Sequence, residues 1–349
     1  MTNYEELLQI MAELSSESID TLLAQAKSIK DAENATKDSQ SRVKKPRSKE
    51  PCPKCPTCMS GNVVRDGKNH GNQRYWCKNC NRTFVSTTNT IMSKSRSTEA
   101  VWRNLIEDTF EGRSLDYSAE KYGLHHETVF NMRHKILLAI QQLGETEPIT
   151  LQNIAELDET YVLESKKGKK FEDNAPRAPR KRGSKASKRG LSSEQVCICT
   201  GVERNKGSAY AVTVNCAGPS KEKITEAFTD HIEAGTVLFT DGLKGYGVLQ
   251  DEIDCVVNGV SVDNMKKSKT ANLNNVNSFH SFIKDRYRTY RGVASKYINR
   301  YNALFANGFR DRKKTIDEIC SIVLSPSTTD YHVSVSELQS KQLFDGAEG

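Results

Sequence analysis

The chain has 349 residues, of which 36% are hydrophobic and 27% charged, with a net charge of +7. That is too long for one ordinary domain of roughly 100–200 residues and suggests two or three. No run approaches the roughly 18 apolar residues of a membrane span, and the opening MTNYEELLQIMAELSS lacks the basic head and unbroken apolar stretch of a signal peptide, so a soluble cytoplasmic protein with no membrane partner is expected.

The basic residues are clustered, as in chains that meet a polyanion, and nucleic acid is the natural candidate. Five cysteines (Cys197, Cys199, Cys216, Cys255 and Cys320) are scattered among apolar residues, as in a reduced protein, and disulfides are not expected. In residues 1–30, Leu7, Leu8, Met11 and Leu14, then Leu22, Leu23, Ala26 and Ile29, recur at spacings of three and four. This predicts a helical segment broken at Ser15–Ser18. Residues 31–51 are polar and basic and read as a flexible linker.

Segment 52–90 carries Cys55-x-x-Cys58 and Cys77-x-x-Cys80 around eighteen residues containing two strand-like runs. Each Cys-x-x-Cys is a knuckle that presents two thiolates, and two knuckles complete the closed tetrahedral site of one structural zinc. So small a segment cannot fold on its own core, and the metal supplies its folding energy. Cys52 with Cys55 is a rival first knuckle. Cys55 with Cys58 is preferred because Met59–Gly61 can then turn the chain as Asn81 and Arg82 do after the second knuckle. Arg74, with Arg65, Lys68, His70 and Lys78, either meets phosphates or forms a solvated rim.

Segment 91–148 reads as all-helical. Val101, Trp102, Leu105, Ile106 and Phe110 share one face. In SAEKYGLHHETVFNMRHKILLAI, Ala119, Gly123 and Val129 stand at the spacing of a helix-turn-helix, which needs a small contact residue, a glycine in the turn and an apolar anchor. Asn131, Arg133 and Lys135, with His126, Glu127 and His134, are then expected to be exposed on the recognition helix. A plain helical bundle is the other reading.

Segment 149–325 changes to short strands and helices in the order β, β, β, α, β, which predicts an RNase H-like α/β fold with its first and fourth strands adjacent. Asp158 in the first strand and Asp241 at the end of the fourth then share a neighbourhood. Paired carboxylates suit magnesium, which takes hard oxygen ligands and keeps several waters. Alternation puts Glu156 on the face of Asp158 and Glu159 on the opposite one, in a supporting role. In LNNVNSFHSFIK, Asn277 and Lys284 are seven apart and share a helix face, with His280 and Ser281 between them and Val276, Phe279 and Ile283 as the apolar stripe. Residues 326–349 read as a C-terminal tail.

With the Cys55–Cys80 ribbon, LDETY, TDGLKGY, and NNVNSFHSFIK followed by YRGVASKYINRYNALF, the chain resembles the bacterial insertion-sequence transposases that join a zinc ribbon to an ISXO-type DDE domain. The resemblance covers about residues 52–310. It implies catalytic aspartates at Asp158 and Asp241, a trailing lysine at Lys284, and two Mg2+ or Mn2+ ions that also draw on Asn277. It also implies cleavage at terminal inverted repeats and transfer of those ends to target double-stranded DNA, by a homo-oligomer at the nucleoid. Many relatives have glutamate where this chain has Asn277. A neutral amide offsets less metal charge and cannot act as a base, which keeps an inactive copy open, with Glu156, Asp263 and Asp285 as compensating acids.

Between the first two strands, residues 165–190 hold eleven basic residues against two acids. This insertion, with Lys181, Arg182, Lys188 and Arg189, is expected to grip phosphates without reading bases. The rival functions are a ribbon and helix-turn-helix regulator without chemistry, and a structure-selective nuclease on the same fold.

Overall fold

The computed structural model describes residues 52–69, 72–167, 186, 192–205, 207–242, 244–260, 271–309 and 312–340. The chain divides into two units, Met1–Cys52 and Pro53–Gly349, and every described residue except Cys52 falls in the second. The helices expected within 1–30, the linker at 31–51 and nearly all of the basic insertion lie outside the described residues.

The second unit opens with a three-stranded antiparallel sheet of β1 (Val63–Asn69), β2 (Asn72–Cys77) and β3 (Thr83–Val85). Its buried apolar side chains are few, chiefly Val63, Phe84 and the thiols of Cys55 and Cys77, too little to hold so small a sheet without a further tie.

Three helices follow. α1 (Glu99–Glu111) is capped by Thr98 and ends at Gly112, and α2 (Leu115–Tyr122) is capped by Ser114 and ends at Gly123. Both glycines are left-handed, at φ 80° and 61°, a conformation open to glycine at little cost. Buried Asp108 of α1 stitches the pair, accepting hydrogen bonds from Ser118, Lys121 and Tyr122. α3 (His126–Thr146) is far longer than α2.

The following sheet contains β4 (Ile154–Leu163), β5 (Gln195–Glu203), β6 (Ala209–Cys216), β7 (Val237–Thr240) and β8 (Val256–Gly259) in the order β6-β5-β4-β7-β8. The first three run antiparallel, and β7 and β8 run parallel to β4. α4 (Lys221–Phe228) joins β6 to β7 and α5 (Val248–Ile253) joins β7 to β8. After β8 come α6 (Asn274–Thr289), α7 (Ile298–Gly308), α8 (Arg312–Val323) and α9 (Val335–Ser340). This mixed sheet with helices on both faces is the RNase H-like arrangement, with the first strand beside the fourth.

Alternation along β4 and β5 sorts the two faces. Ala155, Leu157, Cys197 and Cys199 face α4, α5 and Tyr246, while Val196 and Ile198 face the larger core. That core joins Trp102, Leu105 and Ile106 of α1 and Val129, Ile136 and Ile140 of α3 to Val276, Phe279 and Ile283 of α6. One core therefore runs through segments 91–148 and 149–325, which composition had set apart. The expected C-terminal tail is also partly structural: Val333 and Leu338 pack on Leu138 of α3, and Arg300 donates to the Leu338 carbonyl at 3.0 Å.

Candidate active site and metal centres

The sheet register sets the first site. β4 and β7 are paired up to Glu156 beside Phe239, so two residues further on Asp158 comes level with Asp241, just past the end of β7. The carboxylates of Asp158, Glu159 and Asp241 each offer an oxygen within 4.8 Å of the others. Burial first, and then the charge of Asp241, push Asp158 up to about 6, against the Glu159 N–H it accepts at 2.9 Å and the charge of Lys284. Burial, followed by the charges of Asp158 and Asp241, pushes Glu159 up to about 7. Three crowded carboxylates repel one another, and a hard divalent cation suits such an all-oxygen set.

The placement of Glu159 corrects the sequence expectation. It does point to the far face, opposite Cys199 in β5 and toward the buried Tyr246. But β7 stops at Thr240, so no strand separates the two faces of β4 at this level. The longer glutamate side chain closes on Asp158 and Asp241 past that strand end.

α6 lies along the Asp158 face of β4. His280 is buried, its Nε2 is 2.7 Å from Thr200 Oγ1, and its Nδ1 is 3.8 Å from Asp158 Oδ2. Because the Thr200 hydroxyl donates to the Asp158 carbonyl at 2.7 Å, it accepts from His280, and the imidazole turns its unprotonated Nδ1 to the carboxylates. Burial and Lys284 bring His280 down to about 4. Asn277 lies one turn before His280 and Lys284 one turn after it, both exposed. No side-chain contact of Asn277 joins the acidic cluster among the described residues.

Glu156 holds α6 in place. Leu273, at the start of α6, has no side-chain acceptor to offer the first amides. The buried Glu156 carboxylate supplies one across 120 residues of sequence, accepting from Asn275 N at 2.8 Å, Asn275 Nδ2 at 2.9 Å and Val276 N at 3.0 Å. Arg204 Nε pairs with the same carboxylate at 2.8 Å. Glu156 is thus occupied as a helix cap, where the amide ends favour negative charge, and is not the compensating acid considered from sequence. Asp285 pairs with Arg288 at 3.5 Å, and Asp263 lies outside the described residues.

The second centre is the thiol cluster. Cys55, Cys58, Cys77 and Cys80 place their sulfurs within 4.8 Å of one another, with Cys55–Cys80 at 3.6 Å and Cys58–Cys77 at 3.5 Å. A tetrahedron with zinc–sulfur bonds of about 2.3 Å has edges of about 3.8 Å, so the cluster fits a zinc ion. Burial opposes thiolate formation at Cys55, yet the backbone amides of Thr57 and Cys58 and the neighbouring thiols draw it down to about 6. Cys52, half-buried, is not among the four.

Residues 150–310 match the ISXO2-like transposase domain. The chain carries an insertion-sequence transposase domain. Over 261 residues it is 26% identical to an uncharacterized protein in transposable element ISH50 of Halobacterium salinarum, covering 72% of this chain and 83% of the relative. That organism is an archaeon, so the bacterial source expected from the motifs finds no support there. Among solved structures, the Mos1 strand transfer complex and the Mos1 mariner paired-end complex with Mn each overlap 65% of this chain, and 78% and 79% of their own, at 10% identity and a TM-score of 0.26.

The transposase residues expected to touch DNA fall into three groups. Arg74 is half-exposed and paired with Asp66 at 2.9 Å. On α3, Asn131 and Lys135 are half-buried, whereas Arg133 and His134 are buried, contrary to the exposed recognition face expected. The reason is helix length: the middle of α3 packs on both α2 and α7, and only its first turn, His126–Thr128, with His125 before it, is open. Lys181, Arg182, Lys188 and Arg189 lie outside the described residues. Among the described residues no helix is long and apolar enough to cross a membrane.

Proposed function

We propose that this transposase is a DDE-type enzyme that cleaves DNA at the terminal inverted repeats of its element and joins those ends to target DNA. The observation that carries the reading is the parallel pairing of β4 with β7, which brings Asp158 and Asp241 together within the domain that matches the transposase family. Asp158 and Asp241 hold the catalytic Mg2+ or Mn2+, Asn277 stands third, and Lys284 is placed to meet the DNA strand. Glu159 gives the cluster the third carboxylate that Asn277 does not, which favours an active enzyme over a degenerate copy.

When bound, two such ions would activate the attacking water or 3'-hydroxyl and stabilise the leaving oxygen. The protein's own part is positioning: Glu156 fixes α6, and through α6 His280 and Lys284, against the strand that bears Asp158. Cys55, Cys58, Cys77 and Cys80 hold one structural zinc that fastens the small sheet. α2 and the open first turn of α3 act as a helix-turn-helix, and the basic insertion adds affinity without sequence. A homo-oligomer pairs the two element ends near the nucleoid.

The test is cleavage and joining of an element-end duplex by purified protein with Mg2+ or Mn2+, beside Asp241→Ala, Glu159→Gln and Asn277→Glu. Metal-dependent joining that Asp241→Ala abolishes is the expected result. Cleavage without joining supports a nuclease instead. Inactivity of the wild type, rescued by Asn277→Glu, marks a degenerate copy, and inactivity of every variant favours a regulator.

A further inference from the structure

A cleft of about 800 Å³ opens between the α1–α2 corner, the first half of α3 and residues 289–297 after α6. Its walls are fixed to each other. Gly112 lies so close to α6 that a Cβ there would come within 2.7 Å of Thr289 Cγ2. Tyr290 donates its hydroxyl hydrogen to the Thr109 carbonyl, and Arg286 reaches the Glu111 carbonyl.

The charge in this cleft is one-sided. Arg113, Arg133, Lys167, Arg291 and Lys296 line it against a single carboxylate, Asp116, which already faces His126 at 3.6 Å. The deepest cation is Arg133. It is 3% exposed, and its Nε and Nη2 are buried without a hydrogen-bond partner. Its guanidinium stands 6.0 Å from the Tyr290 ring, and among the described residues no carboxylate pairs with it. Burying an unpaired cation costs several kcal/mol, a cost that an incoming anion would offset. Burial, with Arg300, Arg133 and Lys296 nearby, holds His134 down to about 3, so the surrounding field is positive from more than one element.

We propose that the cleft seats one backbone phosphate of bound DNA, with Arg133 as its buried partner and Lys296 beside it. This rests on the DNA reading above and deepens it. A phosphate carries no sequence information but fixes register. Seated here, it ties the duplex at once to the α2–α3 pair and to the end of α6, the helix that bears Asn277 and Lys284. Arg133, which pattern alone assigned to base reading, then serves the DNA backbone from inside the fold.

The test is fluorescence anisotropy of the full-length protein on an element-end duplex in which each phosphate in turn is made a neutral methylphosphonate. For the wild type, one position should weaken binding about tenfold, the scale of one charge-assisted contact. Arg133→Met should bind the unmodified duplex about tenfold more weakly, lose sensitivity at that one position, and show a salt slope smaller by about 0.9. Its melting temperature should be unchanged or higher, because an unpaired buried charge has gone; a merely structural arginine would lower it. Lys296→Gln, at a half-buried position, should blunt the same position even if Arg133→Met does not fold. The same methylphosphonate pattern in wild type and variants overturns the assignment to this cleft. Failure of the wild type to bind the duplex overturns the DNA reading itself.

Discussion

Replacing Glu156 by glutamine tests whether α6 is held to the sheet from a distance. The carboxylate is fully buried and receives three hydrogen bonds from Asn275 and Val276 besides the Arg204 ion pair, whose arginine side chain is 16% exposed. The amide keeps the shape but removes the charge and turns one acceptor into a donor facing donors. Breaking a buried pair while leaving its partner in place costs about 3–5 kcal/mol. At roughly 2–4 °C per kcal/mol for a large domain, melting should fall by about 6–20 °C. Hydrogen exchange should speed up first at residues 275–280, ahead of the core of β5. Replacing Glu156 and Arg204 together by methionine should not recover the loss, since the Asn275 and Val276 amides are then left without their acceptor. A melting temperature within about 2 °C of wild type, with unchanged protection at 275–280, would refute the clamp.

Three further outcomes are expected. Without metal, the contribution of Asp158 and Glu159 to stability should be greatest below about pH 4 and decline as pH rises toward 7, because the folded state keeps protons on both that the unfolded chain releases, against the opposite trend of the buried His134 and His280, whose folded values are lowered. Asp158 alone, raised from 3.8 to about 6, contributes about 3 kcal/mol of this, and Mn2+ should restore most of the loss above pH 7 in melting curves with and without chelator; a pH profile that Asp158→Asn leaves unchanged counts against the crowded carboxylates. Cobalt substitution should give thiolate charge-transfer absorption that Cys58→Ser weakens and Cys52→Ser leaves alone, and the reverse pattern would move the first knuckle. Gly112→Val should cost about 1–3 kcal/mol in urea unfolding, since the new side chain meets both a left-handed backbone and Thr289; a neutral result would mean that the α1–α2 corner is not seated on α6.

The sheet order was legible because it follows from local information. Alternating runs mark strands, the amphipathic stretch around Ile224 marks the crossover helix, and a parallel return leaves the fourth strand few places except beside the first. The knuckles and the turn glycine at 123 were legible for the same reason, since each is a rule about a few consecutive residues. What the sequence did not disclose was which elements share a core. Trp102 and Ile140 carry ordinary helix periodicity, and nothing in that period says that they pack with Val196 and Phe279.

The misplaced side chains have a common cause. Periodicity assigns a residue to a face of its own strand or helix, but its surroundings depend on where the neighbouring element stops. Glu159 obeyed alternation and still joined Asp158, because β7 ends one residue before Asp241. Arg133 and His134 lie on a stretch of α3 that a short recognition helix would leave in water; in a helix reaching Thr146 that stretch is packed. Glu156 read as a spare acid because its partners, Asn275 and Val276, are 119 and 120 residues away. Leu273 was the available clue: an apolar residue at the helix start offers no side-chain acceptor, and with Asn272 accepting from Asn274 N at 3.2 Å the amides of Asn275 and Val276 draw on another element. Polar residues that the pattern leaves unused are therefore where the tertiary fold of this transposase placed its positioning contacts, and Arg133, whose Nε and Nη2 are buried without a hydrogen-bond partner, is one of them.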